Sequence, residues 1–158
     1  MDERFIDLYG EYAQALIDRR EFLRRLSVLA GGIVATNALL PLLENNYAKA
    51  EVVPKDDPRL YMEHIKYPGA TGEVGAYLAR PKGDEKLPGM VVIHENRGLN
   101  PHIEDVTRRV ALEGFLAISP DALSPLGGTP EDPDKAPSLI QKLDSQATIK
   151  DYLAAVRY

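Results

Sequence analysis

The sequence predicts an α/β domain, a partial doubly wound sheet opened by an antiparallel hairpin and preceded by a signal-like N-terminal helix. Three observations carry that prediction. Residues 61–67 and 73–79 each alternate apolar and polar positions with a period of two. Residues 90–94 and 115–120 are apolar without alternation, as in strands covered on both faces. A well-signalled helix lies between these last two, so the succession is a βαβ unit with a right-handed crossover.

Composition sets the outer limits. The 158 residues are 44% hydrophobic and 27% charged, which suits one ordinary domain with a single core. A net charge of −5 argues against a nucleic-acid partner, because a phosphate-binding surface needs clustered lysine and arginine. The chain has no cysteine, which excludes disulfides, thiolate metal sites and a thiol nucleophile within it.

Residues 1–50 read as an address. Asp18-Arg19-Arg20-Glu21-Phe22-Leu23-Arg24 precedes an uncharged apolar run from Leu26 to Leu43, and Ala48-Lys49-Ala50 offers small residues about a cleavage point. A basic region, an apolar region and an A-x-A site stand in the order a secretory signal requires. The arginine pair ahead of Phe-Leu resembles the twin-arginine export signal, which implies the export machinery as a partner and a periplasmic or exported destination. An uncleaved anchor or a buried helix is the alternative; a permanent span is disfavoured because Gly31, Gly32, Thr36, Asn37 and Pro41 dilute the run. Without export the chain would be cytoplasmic. Upstream, Phe5, Leu8, Tyr9, Tyr12 and Leu16 recur at helical spacing, a helix for which the address has no obvious use.

Residues 51–59 are polar and proline-punctuated, a linker, and the domain begins near residue 60. Pro68 to Gly72 turns the first alternating strand into the second, and a charged loop from Pro81 to Pro88 leads to the third. Asn100 caps the next helix, Pro101 occupies its first turn, and Glu104 and Asp105 complement its positive end. Ile103, Val106, Val110 and Ala111 form its buried stripe, and Gly114 ends it. Pro120 to Pro137 is a long irregular loop of the kind that shapes a site, and a helical pattern opens at Ser138 and runs to Val156.

Candidate chemistry centres on the turn His94-Glu95-Asn96-Arg97-Gly98-Leu99-Asn100. Glu95 follows an apolar run, which makes it a candidate for acid–base work; a turn carboxylate beside Arg97 is the equal alternative. His94, at a strand end, is expected to satisfy a local hydrogen bond. The zinc-protease pattern H-E-x-x-H fails because Gly98 stands at the second histidine position. A metal shared by His94, Glu95, His102 and Glu104 is a remote possibility, and no metal or cofactor is expected. Glu131, Asp132 and Asp134 read as a solvated loop face, and Gly127-Gly128 fits no nucleotide-binding pattern.

His94-Glu95-x-x-Gly98-Leu99-Asn100, the helix after it, and Gly114-Phe115 leading into Pro120-Asp121 together resemble the dienelactone hydrolase family of α/β-hydrolases. The likeness covers residues 60–158, about the first half of a family catalytic domain. It implies hydrolysis of a small ester or lactone by a Cys or Ser nucleophile on a sharp strand-to-helix turn, with a later Asp and His. By the same resemblance Glu95 is the carboxylate that interacts with the resting nucleophile, and the backbone N–H of Asn96 is one oxyanion donor. Asp121 takes the place of a strand-end aspartate with a structural role.

No G-x-C-x-G or G-x-S-x-G occurs, and no third parallel strand follows the last helix. The expectation is therefore a truncated α/β-hydrolase, a pseudogene-like fragment inactive as this chain and prone to fold poorly. Two alternatives stand beside it. A complementing C-terminal chain could supply the missing residues, or the chain could be a non-catalytic exported binding module that uses the loop from Pro120 to Pro137. Arg97 could attract a carboxylate-bearing substrate or lie idle at the surface.

Overall fold

A computed structural model describes residues 3–13, 16–33, 35, 36, 38 and 51–158. Its contacts divide the chain into two compact units, Met1–Glu51 and Val52–Tyr158.

In the first unit, α1 (Glu3–Ala13) and α2 (Arg19–Ala30) make a helical hairpin. Asp18 starts α2 by accepting a hydrogen bond from the Glu21 amide at 2.8 Å, and Gly31 stops it in the left-handed conformation at φ +80°. Leu8, Tyr12, Phe22 and Leu26 are buried between the two helices, with Phe5 and Tyr9 packed at the side. The predicted upstream helix is thus present, although Leu16 lies beyond its end and is exposed. The apolar run read as a signal core does not form one long helix, since α2 closes at Ala30. Among the described residues no helix is long and apolar enough to cross a membrane. The Ala48-Lys49-Ala50 site lies outside the described residues.

The second unit is built on a four-stranded sheet of order β1-β2-β4-β3. Strands β1 (Leu60–Gly69) and β2 (Gly72–Pro81) pair antiparallel across a turn at Ala70 and Thr71. β2 then pairs antiparallel with β4 (Leu116–Pro120), setting Leu78 beside Ile118. β3 (Gly89–Val91) lies parallel to β4 at the sheet edge. Helix α3 (Pro101–Leu112) connects β3 to β4 and covers one face, packing over Leu60, Tyr77, Ala79 and Ala117. Its cap is as the sequence predicts, with the Asn100 side chain accepting from the Ile103 amide at 3.1 Å.

On the other face Tyr67, Val74, Ala76 and Ile118 pack against Ala155. The helical pattern predicted from Ser138 onward is broken in two: α4 (Ala136–Ile140) and α5 (Ser145–Ala155) are separated where Asp144 caps the second, accepting from Gln146 and Ala147. α5 packs on the sheet, against β1 and β4. There Asp151, 3% exposed, accepts hydrogen bonds from the Ala70 and Thr71 amides and from the Thr71 hydroxyl, which locks the hairpin turn. The Tyr67 hydroxyl donates to the Asp151 carbonyl, and burial with the Asp151 charge holds that phenol well above its ordinary range.

Two readings are corrected here. Strand β3 is short and is not covered on both sides: Met90 and Ile93 are exposed, and among the described residues β3 lies at the sheet edge, paired with β4 alone. Residues 52–59, which have the composition of a linker, are anchored. The Val52 and Val53 amides donate to buried Asp105 at 3.1 and 2.8 Å, and the fully buried Arg108 Nε donates to the Val53 carbonyl at 2.7 Å. Arg108 also donates to the Tyr77 hydroxyl and lies 3.7 Å from Asp105, so its charge is both paired and hydrogen-bonded.

Candidate active-site turn

The two parallel strands β3 and β4 run their carboxyl ends to the same edge, where open α/β sheets place ligands. Residues 92–100 leave β3 there, and residues 121–134 leave β4 there. The first segment stays tied to β4 for one step: the Val92 amide donates to the Ile118 carbonyl at 2.8 Å, and the Ser119 hydroxyl donates to the Val92 carbonyl at 2.9 Å. Beyond it the chain bends into the turn that carries Glu95 and Asn96.

His94 fixes that bend. Its Nε2 accepts from the Ala122 amide at 3.0 Å, so the ring proton is on Nδ1, and Nδ1–H donates to the Glu95 carbonyl at 2.7 Å. The same carbonyl accepts from the Gly98 amide at 3.2 Å. With Nε2 used as an acceptor, its 3.8 Å approach to the Asp121 carboxylate is proximity and not an ion pair. The expected local role of His94 is therefore present, and it extends further: one ring joins the turn after β3 to the loop after β4.

Asp121 and Thr129 make the second tie. Asp121 accepts from the Leu123 amide at 3.0 Å, the Thr129 amide at 2.7 Å and the Thr129 hydroxyl at 2.9 Å. The Thr129 hydroxyl oxygen in turn accepts from the Leu99 amide at 2.8 Å. Gly98, at φ +73°, lies so near Thr129 that a Cβ there would overlap the threonine side chain. Arg97 reaches across to Asp134 at 3.5 Å, which takes Asp134 out of the solvated face and places the arginine against the loop.

These bonds set out where each predicted site residue lies. Glu95 and Asn96 are adjacent in the turn: Glu95, exposed, opens it by accepting from the Gly98 amide, and half-buried Asn96 is at its apex with Arg97. The apolar run before Glu95 does not bury it, since Ile93 is itself 60% exposed, so the burial on which acid–base tuning was argued is not supplied by this segment. The four residues considered for a metal are dispersed: the His94 ring is committed, His102 is exposed on α3, and Glu104 faces Lys55 and His64 at 3.7 and 3.3 Å. Among the described residues no group of three or more His, Cys, Asp or Glu side chains is placed to hold a metal ion.

Sequence reasoning missed Thr129 altogether. A threonine after a Gly-Gly pair in a proline-rich loop has no pattern that marks it, and its role depends on a contact with residues thirty positions earlier. Asp105 has a second role beyond complementing the positive end of the helix, and Arg108 carries no local signal at all; the chain segment laid over them buries both.

Comparison with known proteins places this architecture. A family model described as "Dienelactone hydrolase family" matches residues 74–158. The "Putative hydrolase fragment YghX" of Escherichia coli K12 is 51% identical over 110 residues, which span 68% of this chain and 94% of that protein. A protein of Salmonella typhi named "Putative carboxymethylenebutenolidase" is 40% identical over 88 residues, 55% of this chain but 32% of its own length. The chain thus spans about a third of the length of that longer relative. In the solved structures, an esterase of Pyrobaculum calidifontis superposes with a TM-score of 0.52 at 19% identity, covering 96% of this chain and 40% of the esterase, a likeness of fold.

Proposed function

The chain belongs to the dienelactone hydrolase family, and on that premise we propose that residues 52–158 form the oxyanion-turn half of a hydrolase for small esters or lactones. The observation that carries the reading is the pair of ties at the carboxyl ends of β3 and β4, His94 to Ala122 and Leu99 to Thr129, which hold the Glu95-Asn96 turn to a fixed shape. An oxyanion donor is useful only when it is held in place before charge develops, and each such donor contributes ~10²–10³ in rate in serine-protease examples. In this proposal the Asn96 backbone N–H faces the substrate oxyanion and the Glu95 carboxylate faces the resting nucleophile.

These 158 residues contain no nucleophile elbow, so this polypeptide by itself hydrolyses no ester. The exposed edge of β3, with Met90 and Ile93 beside it, favours a reading in which a further chain segment, opening with a strand and G-x-C-x-G, pairs there to complete the site. The test is p-nitrophenyl acetate hydrolysis by the purified chain, alone and after co-expression with the carboxyl-terminal part of a full-length family member. Turnover is expected only from the pair, and it should drop on Glu95→Gln. Turnover by the chain alone, or no turnover from a stable pair, overturns the proposal; ligand binding by the chain that ignores Glu95→Gln would favour a binding module instead.

Residues 18–50 are proposed to direct the chain to the twin-arginine export route and the periplasm. Support for this lies in the order of basic, apolar and small residues, with Asp18-Arg19-Arg20-Glu21-Phe22-Leu23-Arg24 at its head. Replacing Arg19 and Arg20 by lysine should leave the chain in the cytoplasm; export of that variant at the original rate overturns it.

A further inference from the structure

The export motif does not lie open along α2. Phe22, its apolar position, is 1% exposed and Leu26 is 0% exposed. What covers them is α1: the Tyr12 ring stacks on Phe22 with centroids 4.7 Å apart and planes 12° from parallel, Tyr9 meets Phe22 edge-on at 5.8 Å, and Leu8 closes the cluster. Charge works in the same direction. Glu21, inside the motif, binds Arg24 through two hydrogen bonds of 2.7 Å and Arg25 through a third, while Arg25 crosses to Glu11 of α1 at 3.0 Å. Arg19 and Arg20 stay exposed. The arginine pair is therefore readable in the folded hairpin, whereas Phe22, the apolar residue that follows Glu21 in the motif, is not, and Leu23 beside it is half-buried.

From this we propose that α1 is an intramolecular cover for the export signal, and that the hairpin must open before the export receptor can engage Phe22. The inference rests on the export reading of residues 18–50. It gives α1 the role that the linear sequence left unassigned. A cover of this kind has to be weak, and this one is: helices of 11 and 12 residues are marginal alone, and among the described residues the hairpin core holds four buried side chains, of which only Phe22 and Leu26 are fully buried. Receptor affinity is then reduced by the fraction of chains that are open, so the signal is read slowly until something separates the helices.

The experiment follows export of the full chain by pulse-chase in bacteria carrying the twin-arginine translocase. Leu8→Ser/Tyr12→Ser opens the hairpin without altering the motif. Arg19→Lys/Arg20→Lys disables the motif, and Leu16→Ser, at a residue 70% exposed, is the control. Trypsin cleavage of the purified chains after Arg24 and Arg25 reports opening directly. The opened variant should be cleaved faster and exported about tenfold faster than the original, which corresponds to about 1.4 kcal/mol of preference for the closed hairpin. The control should match the original.

Faster cleavage with an unchanged export rate, while the lysine variant is blocked, overturns the cover and leaves the export reading intact. Cleavage that the serine substitutions do not change also overturns it, because Leu8 and Tyr12 would then not be holding the hairpin shut. If the lysine variant is exported like the original, or if no variant, the opened one included, reaches the periplasm, the export reading fails and the cover falls with it.

Discussion

Gly98 and Thr129 are in contact so close that the threonine occupies the space a Cβ on residue 98 would need. The same threonine hydroxyl accepts from the Leu99 amide, so the turn is held by shape and by hydrogen bonding at one point. Gly98→Ala should therefore cost roughly 2–4 kcal/mol, from left-handed backbone strain and overpacking together. Urea unfolding of the full chain measures it. In a Thr129→Gly background, which already lacks the threonine hydrogen bonds, Gly98→Ala should cost less by the steric share alone, since the φ of +73° remains.

His94→Phe keeps a ring in the pocket but removes both of its hydrogen bonds. It leaves the Ala122 amide and one bond to the Glu95 carbonyl unmade, at a cost of roughly 1–3 kcal/mol for each buried group. Amide exchange locates the effect: protection of Ala122 should fall far more than protection of β1 and β2. Equal loss throughout the unit would mean that His94 acts on packing and not on the turn.

Asp151 holds the tip of the β1-β2 hairpin from a helix eighty residues away in sequence. Asp151→Ala strips three donors of their acceptor and should destabilise the unit by roughly 2–4 kcal/mol, with Ala70 and Thr71 the first amides to exchange. Asp151→Asn retains one acceptor oxygen and should lose about half as much.

Acid sensitivity has a named source. The Arg59 side chain and amide bonded to Asp57 hold that carboxyl down at about 2. A depressed folded value means that the stabilisation is present above the unfolded value of about 3.9 and is lost as pH falls toward 2. Thermal unfolding at pH 5, 4, 3 and 2 should show Tm falling most steeply below pH 4, and Asp57→Asn should flatten that part of the curve.

How much of this was legible in the sequence depends on the range of the interaction. The hairpin, the Asn100 cap, Pro101 in the first turn and the strand into Pro120 are each set by residues within a few positions of one another, and each is where the sequence puts it. The break between α4 and α5 is encoded locally too, by an aspartate followed by Ser-Gln-Ala-Thr, which caps a helix from within a pattern of continuous periodicity. Strand β3 is less buried than its apolar run implies, because such a run reports burial only where both faces of the strand are covered, and Met90 and Ile93 stand exposed at the sheet edge.

The site divides along the same line. Glu95 and Asn96 lie in a polar turn that a local motif marks, whereas Thr129, Asp105 and Arg108 take their roles from partners thirty to fifty-five positions away. No periodicity encodes such a pairing. The burial argued for Glu95 failed for a related reason: a neighbouring apolar residue raises the chance of burial only if the fold turns both inward, and at Ile93 the chain is already turning out.

The clamp of Val52 and Val53 on α3 also decides how the domain bears load. Traction applied at the amino-terminal end of the domain would meet two amides and one carbonyl gripped by Asp105 and Arg108 before it reached β1. Those bonds share the tension and pass it to a whole helix. Strand β1, an edge strand that would otherwise unzip from β2 one pair at a time, stays slack behind them.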